Sequence, residues 1–303
     1  MTNFLRRTAG HPQIYGHRGA RGVLPENTMA GFAYLRDIGV TAVELDVQNA
    51  RGRVPVVLHD PLVPMAHTRD AHGNWLPAPG PKVIDLSVDD LRRYDIGRMN
   101  PATDYAARYP QQHPQDGARI PTLAEFLDWA QADAGLLINI EIKSHAHQPD
   151  LGDTPAILAE DVATLVQRYG LGARVVVSSF DWRVLSALRQ QAPDIARAHL
   201  SFEQPGHETN ITDGGALMDG LNRADFGGSL PALIAAQGAK AWCPYFADLT
   251  PEDLAQAHAH DLVVNVWTVN NDDDIRRMIA MGVDGIITDY PTRVQHLLGV
   301  AVP

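Results

Sequence analysis

Residues 43–47 carry two carboxylates in an arrangement that predicts a cation site. In this segment Glu44 and Asp46 alternate with three apolar residues. Successive side chains of a β-strand point to opposite faces, so Glu44 and Asp46 would share one face. Two neighbouring carboxylates repel each other, and burial away from water raises the free energy of each charge. The pair therefore favours a bound cation over a purely structural role.

A later strand-like segment repeats the pattern, with Asn139, Glu141 and Lys143 on one face. The other face is aliphatic and would pack against helices. A buried Glu141–Lys143 ion pair is the ordinary alternative, although burying such a pair is costly. With Glu44 and Asp46, Glu141 would instead complete a three-carboxylate site. Oxygen ligands without cysteine favour a hard cation, so we predict one divalent ion, Mg²⁺ or Ca²⁺.

Several short motifs, in a consistent order, make the chain resemble the glycerophosphodiester phosphodiesterase family. They are His17-Arg18-Gly19, Glu26-Asn27, Glu44-x-Asp46, His59-Asp60, Ile140-Glu141-Ile142-Lys143, Trp267-Thr268-Val269-Asn270 and Thr288-Asp289-Tyr290-Pro291. The resemblance runs from about Ile14 to the C-terminus. It implies a metal-dependent enzyme that cleaves sn-glycerol-3-phosphodiesters into an alcohol and glycerol 3-phosphate.

The family motifs single out His17 and His59 among the 13 histidines of the chain. An imidazole titrates near neutral pH, so one ring can hold a proton while the other accepts one. The resemblance therefore implies that His17 and His59 form an acid–base pair, with the two roles left open. We expect several histidines outside the motifs to be surface or packing residues: His11, His67, His72, His113, His145, His147 and His207.

Four further residues would bind the substrate or its phosphate. Arg18 and Lys143 would supply positive charge, because the chain's formal net charge of -11 would otherwise repel an anion. For Arg18 a surface salt bridge is the alternative. Asn27 would orient the metal shell or the phosphate, or else cap a helix. The family match favours Trp267 as a wall of the substrate pocket rather than a core residue. We expect Asp289, at a strand end, to be structural.

No side chain stands out as an activated nucleophile. Ser178 and Ser179 lack the G-x-S-x-G elbow of serine hydrolases, and nothing near Cys243 in the sequence suggests an activated thiolate. The attacking group must therefore be water or a hydroxyl of the substrate. A glycerol hydroxyl next to the esterified carbon would attack intramolecularly, with a large proximity advantage.

The order of strand-like and helix-like segments along the chain predicts an α/β fold, a (β/α)₈ TIM barrel. Strand-like and helix-like segments alternate about eight times, and the catalytic residues of such barrels collect at the C-terminal ends of the strands. An open doubly wound sheet is the alternative, but no G-x-G-x-x-G follows the first strand. We predict one domain over residues 1–303. The proline-rich region of about 61–120 interrupts the rhythm, and the resemblance implies a small subdomain inserted there, after the second strand.

Composition limits the partners and the location. The net charge of -11 argues against nucleic acid and anionic membranes as main partners. No stretch approaches the roughly 18 apolar residues of a membrane span, and residues 1–12 lack the apolar core of a signal peptide. Cys243 is the only cysteine, which fits a reducing compartment. We therefore expect a cytoplasmic protein with a small-molecule partner, and the sequence does not predict the oligomeric state.

Two other functions stay open at this stage. A lysophospholipase D-like phosphodiesterase acting on lipid-bearing substrates would need an apolar groove near the barrel mouth. A catalytically silent barrel that only binds phosphorylated ligands would have no use for an acid–base pair.

Overall fold

Parallel strands close into a barrel in the computed structural model, which describes residues 10–145 and 147–302. The strands are β1 Gln13–Gly16, β2 Ala42–Ala50, β3 Val54–Val57, β4 Leu137–Ile142, β5 Val175–Ser179, β6 Ala196–Ser201, β7 Ala241–Pro244, β8 Val263–Val266 and β9 Gly285–Thr288. Within these described residues, all strands except β3 form a closed ring of eight, because β1 pairs in parallel with both β2 and β9. This confirms the predicted (β/α)₈ TIM barrel and excludes the open sheet. The signal-peptide expectation concerns residues 1–12, of which 1–9 lie outside the described part.

Helices connect the strands, and those outside the 61–120 region pack against the outside of the barrel. They are α1 Met29–Asp37, α2 Val88–Leu91, α3 Asp104–Arg108, α4 Leu123–Gln131, α5 Pro155–Arg168, α6 Trp182–Gln191, α7 Leu230–Ala236, α8 Pro251–Ala259, α9 Asp272–Met281 and α10 Pro291–Leu297. Several begin at a polar cap: Thr28, Thr122 and Asp181 each accept a hydrogen bond from a backbone N–H of the first turn. Across the described ranges, no helix is both long and apolar enough to cross a bilayer.

The alternation of side chains along each strand divides the apolar core into two layers. Three aliphatic residues of β2 and three of β4 belong to the outer layer, against the helices: Val43, Leu45, Val47, Ile138, Ile140 and Ile142. Inward residues of the strands form a second cluster inside the barrel: Tyr15, Ala42, Leu137, Val176, Ala196, Ala198, Leu200, Ala241, Cys243, Val263 and Ile287. Glu44, Asp46 and Glu141 alternate with the outer residues, so their side chains point inward as predicted.

Residues 61–120 leave the barrel after β3, which runs antiparallel to the end of β2. This region contains α2 and α3 and packs around an apolar cluster separate from the barrel core: Ala50, Val56, Leu58, Val63, Val83, Leu91, Ile96 and Ile120. Both helices are short, and α3 lies between Pro101 and Pro110. The division into one domain over 1–303 with an inserted subdomain stays a prediction.

Gly16, the last residue of β1, packs closely against the turn that follows the strand. A Cβ at this position would lie 2.0 Å from the Gly19 carbonyl oxygen and 2.4 Å from Leu35 Cδ2. We expect Gly16→Ala to lower the free energy of unfolding by roughly 1–3 kcal/mol, as overpacking usually does, in urea denaturation followed by circular dichroism. Gly172→Ala is the control, because its added Cβ would meet no atom within 4 Å beyond its chain neighbours. Equal stability of the two variants would contradict the close packing.

Candidate active site

Three carboxylates converge near the C-terminal ends of neighbouring barrel strands. Asp46 of β2 and Glu141 of β4 are paired in register, and Glu44 lies two residues before Asp46 on the same face of β2. One oxygen of each residue lies within 4.8 Å of the others, and all three side chains are buried. Oxygen atoms at this spacing can coordinate one divalent cation. The structure thus brings together the three residues predicted as metal ligands.

The surroundings shift the pKa values of Glu44 and Asp46 in opposite directions. Burial raises the pKa of Glu44 well above its ordinary value, and the charges of Asp46 and Glu141 raise it further. Burial acts in the same direction on Asp46, but Arg18 and Lys143 outweigh it and hold the pKa of Asp46 well below its ordinary value. Among the described residues, the buried Glu44 Oε1 has no hydrogen-bond partner. A cation here would neutralise the repulsion and satisfy this oxygen, so the residues fit a metal ion.

Two cationic side chains reach the same carboxylates. Lys143 Nζ forms ion pairs with Glu141 Oε1 at 2.5 Å and with Asp46 Oδ1 at 3.2 Å. Arg18 Nε lies 3.0 Å from Asp46 Oδ2, and Arg18 Nη1 donates to Glu26 Oε1 at 2.8 Å. The Glu141–Lys143 pair therefore exists together with the carboxylate cluster. The Arg18 side chain is only 11% exposed, so the alternative of a surface salt bridge is wrong for this residue.

The turn after β1 has an unusual backbone conformation. Arg18 and Asn27 adopt positive φ angles of 52° and 54°, which few residues other than glycine do. The Asn27 N–H donates to the Arg18 carbonyl at 2.9 Å, and the Arg18 N–H donates to Glu44 Oε2 at 2.9 Å. Gly19, with a φ of 86°, lies so close to Gly31 of α1 that an added Cβ would be 3.0 Å from the Gly31 carbonyl carbon. These contacts place the Arg18 side chain over the carboxylates.

Asn27 orients Asp46 rather than capping α1. Its Nδ2 donates to Asp46 Oδ2 at 2.9 Å, and its Oδ1 accepts from the Asp46 backbone N–H at 3.3 Å. Thr28 occupies the cap position, where its hydroxyl oxygen accepts from the Gly31 N–H at 3.2 Å. The helix-cap alternative is therefore wrong for Asn27, while its contact with a phosphate stays a prediction.

His17 is a buried imidazole held in one orientation. His17 and Arg21 keep the pKa of Asp289 below its ordinary value in spite of burial, so Asp289 is ionised. His17 Nδ1, 2.7 Å from Asp289 Oδ1, must then carry the proton and donate it. Nε2 is left as an acceptor, 3.8 Å from Glu44 Oε2. Burial and the charge of Arg21 lower the pKa of His17 to about 4, against the opposite effect of Asp289, so the ring is neutral at pH 7.

His59, which follows β3, faces a cavity beside the carboxylates. Its Nδ1 lies 2.6 Å from Asp60 Oδ1, and its side chain is 32% exposed. The cavity has a volume of about 410 Å³, and Glu141, Lys143 and Phe180 also line it. His59 thus borders the carboxylate cluster from a more open side than His17 does.

Two buried carboxylates at the site have roles that the sequence did not reveal. Asp289, expected to be structural, accepts hydrogen bonds from His17 and, at 2.7 Å, from Asn270 Nδ2. Glu26 binds the Arg18 guanidinium. Membership of the family motifs was the only signal that could have found them, because Asp289 and His17 are 272 residues apart.

The 61–120 region adds three rings to the site. The Tyr105 hydroxyl donates to Glu26 Oε2, and the Tyr109 hydroxyl donates to Asp289 Oδ2 at 3.4 Å. His67, expected to be a surface or packing residue, is buried with its ring centroid 5.2 Å from that of Tyr105. Neither ring nitrogen of His67 has a hydrogen-bond partner in the described part of the chain.

Trp267 belongs to a row of partly buried aromatic side chains at the ends of β5 to β8. We call this row the aromatic band: Phe180, Phe202, Tyr245, Phe246 and Trp267. Contacting ring centroids in the band lie 4.7–6.0 Å apart. The Phe180 centroid is 5.9 Å from Lys143 Nζ. The band therefore begins beside the carboxylate site and extends across the barrel mouth.

Known proteins share this fold and sequence pattern. A crystal structure from Silicibacter pomeroyi DSS-3, assigned to the glycerophosphoryl diester phosphodiesterases, is 38% identical, with a TM-score of 0.86 over 99% of this chain and 98% of that one. A glycerophosphodiester phosphodiesterase from Bacillus altitudinis is 28% identical, over 93% of this chain and 96% of its own. A phosphodiesterase from Oleispira antarctica, solved with the product sn-glycerol-3-phosphate, shares the fold at 19% identity and a TM-score of 0.68, over 95% and 97% of the two chains.

The sequence profile of one family covers nearly the whole described chain. It is the profile of the glycerophosphoryl diester phosphodiesterase family, and it matches residues 17–293. The match begins at His17 and includes every residue proposed from the sequence for the site. It confirms the family resemblance and the enzyme class that the sequence predicts. The chain belongs to the glycerophosphoryl diester phosphodiesterase family.

Proposed function

We propose that the protein hydrolyses glycerophosphodiesters to an alcohol and sn-glycerol 3-phosphate, with one divalent cation. The observation that carries the proposal is a neutral imidazole beside three convergent carboxylates, with His17 Nε2 3.8 Å from Glu44 Oε2. Phosphoryl transfer requires both features, because negative charge on the phosphoryl oxygens must be stabilised and protons must move between the exchanging oxygens.

Glu44, Asp46 and Glu141 would hold the cation. A donor set made only of oxygen atoms supports Mg²⁺ or Ca²⁺ as its identity. When bound, such an ion polarises the phosphoryl oxygens and stabilises the charge that develops on them.

Residues around the carboxylates would bind the substrate. Arg18 and Lys143 carry positive charge next to Asp46 and would contact the phosphate. Asn27 would assist cation binding by holding Asp46 in place. It is also proposed to contact the phosphate of the bound substrate. Trp267 would form a wall of the pocket.

His17 is proposed as the base of the first step. Its Nδ1–H donates to Asp289, so Nε2 is free to take a proton from the glycerol hydroxyl next to the esterified carbon. The deprotonated oxygen attacks phosphorus and the bond to the alcohol breaks, giving a five-membered cyclic phosphate. His59 protonates the departing alcohol, which would lie in the cavity that His59 lines. Water then opens the ring with the roles exchanged: His59 takes a proton from water, and His17 returns one to the glycerol oxygen.

The aromatic band supports a second candidate, a lysophospholipase D-like activity on lipid-bearing phosphodiesters. The band starts 5.9 Å from Lys143 Nζ at Phe180 and continues through Trp267. An apolar substituent on a phosphate bound at Lys143 would therefore meet aromatic surface. A silent phosphate-binding barrel has less support. Such a protein would have no need of a neutral imidazole oriented by a carboxylate, as His17 is by Asp289.

The protein is proposed to act on small molecules in the cytoplasm. Cys243 is a buried free thiol, which is compatible with a reducing compartment. Residues 61–120 are proposed as an inserted subdomain of a single domain, on the basis of their separate apolar cluster.

Turnover of glycerophosphocholine with and without EDTA tests the proposal. We expect activity that EDTA abolishes and that Mg²⁺ or Ca²⁺ restores. A higher kcat/KM for lysophosphatidylcholine would favour the second candidate, and phosphate binding without turnover would favour the silent barrel. Glu44→Gln and Glu141→Gln should abolish activity and weaken cation binding in isothermal titration calorimetry, because each removes a charged ligand.

Glu252→Gln is the matched control for these ligand variants, because it makes the same chemical change on the exposed first turn of α8. It should keep the activity and the cation affinity of the wild type. Full cation binding by a triple variant, with Glu44→Gln, Asp46→Asn and Glu141→Gln combined, would refute the ligand assignment.

Removing one phosphate contact should weaken transition-state binding. We expect Arg18→Ala and Lys143→Ala each to lower kcat/KM about 10- to 100-fold, because a hydrogen bond to a charged group contributes about 1.5–3 kcal/mol. Lys240→Ala, at an exposed position, is the control. Wild-type kcat/KM in the Arg18 and Lys143 variants would assign both residues to the scaffold.

A substrate without the neighbouring hydroxyl tests the cyclic route. We expect the 2-deoxy analogue of glycerophosphocholine to bind without being hydrolysed, because the attacking oxygen is missing. Efficient hydrolysis, measured as release of choline, would instead indicate direct attack by water. Under either route His17→Ala and His59→Ala should be nearly inactive, whereas His72→Ala, at an exposed position, should remain active.

A further inference from the structure

Tyr105 of α3 and Tyr109, the residue that follows this helix, contact the carboxylates that hold the proposed functional groups. Tyr105 donates to Glu26 Oε2, and Tyr109 donates to Asp289 Oδ2. The tyrosines are four residues apart, and Tyr109 is the residue that ends α3. Their rings pack edge to face with centroids 5.1 Å apart. A short helix of the 61–120 region and the residue that ends it thus reach both carboxylates.

Each carboxylate uses its other oxygen for a residue of the turn after β1. Glu26 Oε1 accepts from Arg18 Nη1 at 2.8 Å. Asp289 Oδ1 accepts from His17 Nδ1 at 2.7 Å. Glu26 and Asp289 are 4% and 0% exposed, so their hydrogen bonds are shielded from water. Two hydrogen-bonded chains therefore run from the tyrosines, one to Arg18 and one to His17.

Further contacts tie the same region to the turn. Gln112 Nε2 donates to the Arg21 carbonyl at 2.7 Å, and the His113 N–H donates to the Val23 carbonyl at 2.8 Å. The Arg21 guanidinium lies 5.0 Å from the centre of the Tyr109 ring. The turn and the region around α3 therefore pack as one unit.

We propose that Tyr105 and Tyr109 are positioning residues for the reaction, with Tyr105 placing Arg18 and Tyr109 placing His17. The inference rests on the proposed function, in which Arg18 binds the phosphate and His17 moves protons. It makes the 61–120 region a part of the proposed catalytic apparatus.

Tyr105 acts by fixing the orientation of Glu26. The Tyr105 hydroxyl stays protonated, because burial and the Glu26 charge raise its pKa well above the ordinary value. With one oxygen occupied by this donor, Glu26 binds Arg18 through the other oxygen, and Arg18 Nε remains 3.0 Å from Asp46. Without the hydroxyl, Glu26 is free to turn both oxygens to Arg18 and draw the guanidinium away from the proposed phosphate position.

Tyr109 acts on the orientation of Asp289. The Asp289 Oδ2 atom accepts from Tyr109 at 3.4 Å, from Asn270 Nδ2 at 2.7 Å and from Arg21 Nη2 at 3.1 Å. Its Oδ1 atom accepts from His17 Nδ1 and from Arg21 Nε. Loss of the Tyr109 hydroxyl removes one of these donors and leaves the others. The Asp289 carboxylate, and with it the His17 ring, is then less firmly oriented toward the reacting hydroxyl.

Phenylalanine variants of the full-length protein separate the two roles. We expect Tyr105→Phe to raise KM for glycerophosphocholine and Kd for sn-glycerol 3-phosphate about tenfold, because it disturbs phosphate binding. Tyr109→Phe should lower kcat about tenfold and leave Kd within about twofold of the wild type, because it disturbs proton transfer. Tyr94→Phe, in the same region but packed against its apolar cluster, is the control and should change neither constant.

A double-mutant cycle tests whether Tyr105 acts through Glu26. In a Glu26→Gln background the effect of Tyr105→Phe should shrink to about twofold or less, whereas Tyr109→Phe keeps its full effect. Tyr105→Phe effects of equal size in both backgrounds would overturn the inference, as would tyrosine variants that behave like Tyr94→Phe. Absence of wild-type turnover would refute the proposed function. The Kd for sn-glycerol 3-phosphate would still test whether Tyr105 positions Arg18. A wild-type protein that also fails to bind sn-glycerol 3-phosphate would refute both.

Discussion

The buried cluster of Glu44, Asp46 and Glu141 is the constraint on which the rest of the site depends. One oxygen of each residue lies within 4.8 Å of the others, and burial together with mutual repulsion raises the pKa of Glu44. A carboxyl group whose pKa is higher in the folded state lowers stability as the pH rises through that pKa. At neutral pH the fold therefore needs opposite charge at this point. Arg18 and Lys143 supply part of it, and a divalent cation would supply the rest.

The barrel allows such a costly cluster because apolar packing on the other face of the same strands offsets it. β2 and β4 each bury three aliphatic side chains against the helices, and each such side chain contributes about 1.5–3 kcal/mol. The parallel register then sets Asp46 opposite Glu141 without any special loop. His17 and Lys143 follow directly at the ends of β1 and β4. Strand alternation and barrel closure together account for most of the geometry of the site.

Strand alternation and barrel closure also account for what the sequence could predict. Alternation predicted the inward direction of the carboxylates, and the repeated strand–helix rhythm predicted the barrel. The partners of the proposed catalytic groups depend instead on contacts between distant residues: Asp289 meets His17 across 272 residues, and Tyr105 meets Glu26 across 79. No local pattern encodes such contacts. The sequence leaves two roles open for Asn27 for a related reason: its positive φ, which turns the side chain toward Asp46 and leaves the cap to Thr28, is a feature of the folded turn.

The surroundings of the two histidines also explain how one pair could carry out two opposite tasks. His17 is buried and neutral, and Asp289 orients it, which suits a base that must accept a proton at one defined atom. His59 is more exposed and lines the cavity where the alcohol would leave. In the described structure, Tyr105 and Tyr109 bind the carboxylates on the His17 side, while the cavity at His59 is lined mainly by residues that follow β4 and β5. Changes in the cavity could therefore alter which alcohol is accepted while the proposed base keeps its orientation.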